Sequence, residues 1–125
     1  CINIHKILIN ISNKNIKIQE IKKYDPTLSQ AELKVYADLW SENVYENKLV
    51  SPIIGNPHNL GKISIFSGTH EIFYPDILDY HEILVSNKID HNFFLEPRMN
   101  HVYVLFPIPE AKKAIKKIIE IINNN

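Results

Sequence analysis

Short β-branched runs alternate with amphipathic helical stretches along this chain of 125 residues, and that alternation limits the fold more than any other feature. The runs "KILINIS" (6–12), "KISIFSG" (62–68) and "HNFFLEP" (91–97) read as strands. They are short, rich in Ile and Phe, and closed by polar or turn-forming residues. In the third, Phe93 and Leu95 fall on one face. Helical patterns stand between and after them. Ser29 with Glu32 makes a capping box, in which each side chain satisfies a backbone N–H of the first turn. Leu33, Tyr36, Ala37 and Trp40 follow at helical spacing, and that helix should fade near Ser41 to Asn43. Pro75 suits the first position of a second helix, with Asp76 in its first turn, where the dipole favours an acid. Ile77, Tyr80, His81 and Leu84 mark its buried stripe, and "SNK" closes it. A last helix is expected over Pro109–Asn123. Ala111, Ala114, Ile115, Ile118 and Ile122 form its apolar face, and Lys112, Lys113, Lys116 and Lys117 its solvated one. The segments 13–26 and 51–61 read as a polar connection and a Pro- and Gly-bearing loop.

The order strand, helix, strand, helix, strand, helix predicts a parallel α/β sheet of about three strands with flanking helices. One domain spanning 1–125 is expected from the length. Three strands are few for a sheet that must cover both faces and blunt its edges. After Lys6 the first run carries no charge to discourage pairing, so self-association through that strand is one expectation. Residue 1 is Cys and the one methionine is Met99, which suggests a processed product, a tag remnant or a piece of something longer.

Fourteen basic residues balance fourteen acidic ones, which gives no electrostatic reason to expect nucleic acid or an anionic membrane as partner. A single cysteine excludes an internal disulfide framework and a multi-cysteine zinc site. No apolar run approaches the roughly 20 residues that span a bilayer, and there is no signal-peptide pattern. A cytoplasmic setting is expected.

In parallel α/β sheets the chemistry sits in loops beyond the carboxyl ends of strands. Two such loops hold unusual residues: "SGTHEIFYPD" (67–76), with His70, Glu71 and Asp76, and "EPRMNHVYVLFPIPE" (96–110), with His101. A zincin helix needs H-E-x-x-H, but Tyr74 stands where the second His should be, so neither a metal nor another cofactor is expected. Two readings remain on the residues alone. Glu71 could orient a proton-shuttling His101, as the acid and base of a nucleophile triad. Alternatively, Glu71 caps the following helix and His101 is a partly buried polar residue.

"SPIIG", "GTHEIFYPD" and "MNHVYVLFPIPEA" together resemble the C-terminal part of the α/β-hydrolase fold, in the hormone-sensitive-lipase-like group of esterases and lipases. The stretch from Asp25 to Gly55 resembles the Asp-Pro-x-Leu segment and Ser-Pro loop of that group, and "KILINIS" falls where the preceding strand would lie. The resemblance implies that Glu71 is the catalytic acid, His101 the general base, and Asp76 a second, helix-capping acid. Ser51 and Pro52 fall on the structural loop. The acid is Glu where most of the group has Asp, and α/β-hydrolases use either. The group's Pro-Trp-x-Asp stretch is replaced here by "NKNIKIQ". Its Gly-x-Ser-x-Gly nucleophile turn and its Gly-rich oxyanion loop have no counterpart, because Gly55, Gly61 and Gly68 flank no serine in that pattern. The implied function is therefore the acid-and-base portion of a serine carboxylic-ester hydrolase, inactive alone and acting on a small ester only when an N-terminal half completes it. The alternative is a non-catalytic half that associates with such a partner or with itself.

Overall fold

The computed structural model describes residues 15–41, 52–58 and 60–124. The expected first strand, 6–12, lies outside them. The chain enters through a single helical turn, α1 (Ile18–Ile21), which tightens into a 3₁₀ turn at Lys22–Tyr24, so part of the expected polar connection is helical. Helix α2 follows (Gln30–Ser41). Its capping box forms as expected. Glu32 N donates to Ser29 Oγ and Ser29 N donates to Glu32 Oε2, both at 3.2 Å.

Strands β1 (Ile63–Gly68) and β2 (His91–Glu96) are parallel and joined by α3 (Tyr74–Ser86). The register runs from Ile63 opposite His91 to Gly68 opposite Glu96. Among the described residues the sheet has these two strands. β1 is buried along nearly its whole length, as a parallel strand covered on both faces should be. Alternation along the strands sends Ile63, Ile65 and Phe93 to one side. There they meet Ile77, Tyr80 and Leu84 of α3, with Ile18, Leu33, Ile72 and Phe73 completing the core. On the other side Phe66 and Phe94, which are register partners, stack at 4.6 Å. The last helix, α4, spans Pro109–Asn123 as expected.

Several predicted faces are narrower than the spacing implied. In α2 only Leu33 and Ala37 are buried, and Tyr36 is 62% exposed; the side chain of Trp40 lies outside the described residues. Leu95 is exposed while Phe93 packs against the core. In α4 the small residues Ala111 and Ala114 are buried, while Ile115 and Ile122 are close to half exposed. Pro75 occupies the second position of α3, since Tyr74 opens it. No helix among the described residues is long and apolar enough to cross a membrane.

Because both arms of the α2 box are made, Ser29→Ala removes the hydroxyl that accepts from the Glu32 N–H and leaves only the other arm, from the backbone N of residue 29 to Glu32 Oε2. Urea denaturation of this variant should show a loss of about 1 kcal/mol; an unchanged midpoint would mean that the box is idle.

Candidate functional site

The site is built where the carboxyl ends of β1 and β2 come together. Gly68, the last residue of β1, makes this possible. A Cβ there would stand 2.0 Å from the carbonyl oxygen of Met99, so only glycine lets the loop after β2 lie against the strand end. Three hydrogen bonds then lace the two loops. Thr69 N donates to Glu96 O (3.1 Å), His70 N donates to Met99 O (2.9 Å), and Arg98 N donates to Thr69 Oγ1 (2.8 Å).

Glu71 follows in a tight turn. Its N–H faces Gly68 O at 3.4 Å, and Tyr74 N donates to its carbonyl at 3.0 Å. The next N–H, that of Ile72, donates to Asp25 Oδ2 at 2.9 Å. Asp25 is itself buried, and its other oxygen accepts from Thr27 N (2.9 Å) and Thr27 Oγ1 (2.5 Å). A carboxylate from a distant loop thus clamps the backbone beside Glu71. The sequence held a signal for the local half of this arrangement: Asp-Pro-Thr is a composition suited to an Asx turn. Nothing local could have announced the bond to Ile72.

His101 lies on the loop after β2. The chain there passes through two left-handed residues, Arg98 (φ 60°) and Val102 (φ 57°), before a 3₁₀ turn at Tyr103–Leu105. A β-branched residue in that region is a true outlier and costs roughly 1–3 kcal/mol, and it adjoins His101 directly. The His101 ring meets Phe73 edge-on at 5.4 Å. Its Nδ1 stands 4.0 Å from Glu71 Oε2, with both side chains nearly buried. That separation exceeds a direct hydrogen bond, about 2.7–3.2 Å, and it is of the kind that tightens when a site is engaged. Tyr103, which sequence reasoning missed, is buried just behind; burial first, then the charges of Glu96 and Glu71, push its phenol up to about 12.

The N-cap of α3 is Phe73, which makes no capping side-chain hydrogen bond. Asp76 sits in the helix's first turn. It is fully buried, and its Oδ1 accepts from Asn15 Nδ2 at 2.8 Å. The same amide reaches Asp79 Oδ2 at 3.0 Å. Among the described residues, Asp76 Oδ2 has no hydrogen-bond donor. Burial, only partly countered by the Asn15 bond and reinforced by Asp79, pushes the Asp76 carboxyl up to about 6. The His70 ring stacks on Tyr24 at 4.6 Å. Among the described residues no three His, Cys, Asp or Glu side chains gather as metal ligands would.

No protein-family model matches the chain, and no curated protein matches its sequence closely. Solved structures do. One, from Staphylococcus aureus and assigned as an esterase, is 25% identical with a TM-score of 0.87, over 94% of this chain and 40% of that one. An esterase/lipase from an uncultured bacterium is 18% identical with a TM-score of 0.83, over 94% and 40%. The esterase EstE5, soaked with p-nitrophenyl butyrate, is 19% identical with a TM-score of 0.82, over 91% and 39%. The chain therefore has the fold of the C-terminal portion of an esterase-type α/β-hydrolase, and it spans about 40% of the length of these structures.

Two outcomes follow from the geometry. Gly68→Ala should destabilise the chain by roughly 3 kcal/mol or more, because the clash is with backbone and no rotamer relieves it; a urea midpoint equal to that of the parent would refute the close approach. For Asp76 the native state keeps a proton that the unfolded chain has lost between about pH 4 and pH 6. Stability should therefore fall as pH rises through that window. Asp76→Asn should flatten this slope and gain ~1–3 kcal/mol at pH 7, since each tenfold change in proton affinity on folding is worth about 1.4 kcal/mol. Thermal melts across pH 4–7 measure both.

Proposed function

We propose that this chain supplies the acid and the general base of a serine carboxylic-ester hydrolase. The nucleophile and oxyanion hole would come from sequence outside it. One observation carries the reading. In an esterase-type fold, a nearly buried Glu71 carboxylate lies 4.0 Å from His101 Nδ1, where the carboxyl ends of two parallel strands meet.

The division of labour follows from that geometry. Glu71 faces Nδ1, so Nε2 is the nitrogen available to a serine hydroxyl. Nε2 would take the hydroxyl proton as oxygen attacks the ester carbonyl, and the imidazolium so formed would be stabilised by ionised Glu71. Collapse of the tetrahedral adduct expels the alcohol, which receives that proton, and leaves an acyl-enzyme. Water, deprotonated by His101 in turn, releases the acid. The soak of the similar esterase EstE5 with p-nitrophenyl butyrate supports a short acyl ester as the probe of choice.

None of the serines in this chain stands in a Gly-x-Ser-x-Gly turn. The chain alone should therefore hydrolyse p-nitrophenyl butyrate no faster than its His101→Ala version. Clear His101-dependent turnover by the chain alone would sink the division proposed here. Joined to a polypeptide that carries the nucleophile turn, it should become active. There, Glu71→Gln or His101→Ala should cut kcat by about 10³-fold or more with little change in KM. Equal activity with and without either side chain would remove Glu71 and His101 from the mechanism.

A further inference from the structure

A second pair of titratable side chains sits at the opposite end of β2 and takes no part in the chemistry above. His81, on α3, and His91, the first residue of β2, approach to 2.8 Å between His81 Nδ1 and His91 Nε2. The other nitrogen of His91, Nδ1, lies 2.7 Å from the carbonyl oxygen of Ile89. A carbonyl only accepts, so His91 Nδ1 carries the hydrogen and His91 Nε2 presents a lone pair. His81 is fixed from another direction, with its ring stacked on Phe93 at 4.1 Å and 10°. Both rings are half-buried, so the pair is held by the protein yet open to solvent.

We propose that His81 and His91 form a two-imidazole site for a divalent transition-metal ion of the zinc, nickel, cobalt or copper class. Imidazole is the ligand that suits this class. A ligating histidine characteristically donates its second ring N–H to a carbonyl or carboxylate, and the Ile89 carbonyl already plays that part for His91. Two nitrogens bound at about 2.0–2.1 Å with an angle between 90° and tetrahedral stand roughly 2.9–3.4 Å apart. The observed 2.8 Å needs to open by about half an ångström or less for that. His81 would carry its hydrogen on Nε2, and water would complete the coordination. Burial, and then the neighbouring His91 ring, hold the His81 imidazole below its ordinary pKa against a smaller opposing pull from Glu82. The bound ion would tie α3 to the start of β2, at the end of that strand remote from His101.

The test uses the whole chain and two metals. Co²⁺ at sub-stoichiometric amounts should broaden the ring NMR signals of His81 and His91 ahead of those of the other four histidines. Saturating Zn²⁺ at pH 7.5 should raise the thermal midpoint by several degrees, because an ion that binds only the folded state stabilises it. That rise should shrink as the pH is lowered, because protons compete with the ion for ring nitrogens. His81→Gln and His91→Gln, each confirmed folded by circular dichroism, should each abolish it. Broadening spread evenly over all six histidines, or centred on any other, would overturn the site without reference to the variants. An undisturbed midpoint in Zn²⁺ would do the same. Neither outcome bears on Glu71 and His101.

Discussion

The close approach of Gly68 to the Met99 carbonyl is the constraint on which the rest of the site depends. Two parallel strands fix the spacing of their ends, but not of the loops beyond them. Here the loop after β2 folds back over the end of β1 until no room is left for a Cβ. Only then can Thr69 and His70 donate to backbone on the other loop. Those bonds decide where Glu71 and His101 stand. A wider gap would leave a glutamate and a histidine on two independent loops, with no reason to meet at 4.0 Å. Asp25 reinforces the arrangement from a third direction by holding the N–H of Ile72. The clamp is therefore mostly main chain, with two side chains, Asp25 and Thr69, as staples.

Two acidic residues five positions apart show how far surroundings decide behaviour. Glu71 and Asp76 are both buried. Glu71 faces an imidazole that can become positive. Asp76 faces the neutral amide of Asn15 and the like charge of Asp79, so burial is only partly compensated and favours the protonated form. A poised acid that must stay ionised needs the first environment. The second suits a carboxyl that is held in the fold without being asked to carry charge.

How much of this was legible in the sequence follows from the range of each interaction. The capping box, the strand ending at Gly68 and the last helix are local patterns, and they were readable as such. Periodicity named the correct helices but overstated their buried faces. Tyr36, Ile115 and Ile122 recur at the right spacing, yet packing uses the narrower stripes of Leu33–Ala37 and Ala111–Ala114. Spacing tells which residues share a face, not how much of that face a neighbour covers. Asp76 read as a helix-start acid because position alone was visible; its real partner, Asn15, lies 61 residues away in the chain. The clamp from Asp25 and the stacking of His70 on Tyr24 were invisible for the same reason. The candidate acid and base stood out as two residues just past consecutive strand ends, but spacing alone left Glu71 readable as a cap as well, and it was resemblance to a known arrangement that pointed to the acid.

The two histidines that flank β2 carry the argument one step further. His91 opens the strand and His101 lies just past its end, so the same strand sets the place of both. Their partners differ. His91 has one nitrogen committed to a carbonyl and the other turned toward a second imidazole, an arrangement that offers a lone pair. His101 has Nδ1 turned toward a carboxylate, an arrangement that favours taking up a proton at the far nitrogen. A carbonyl beside a histidine fixes a tautomer, whereas a carboxylate also stabilises the positive ion that proton transfer creates. By that physical difference, the carboxyl-terminal end of β2 suits the acid–base role proposed for it, and the amino-terminal end suits the proposed ion.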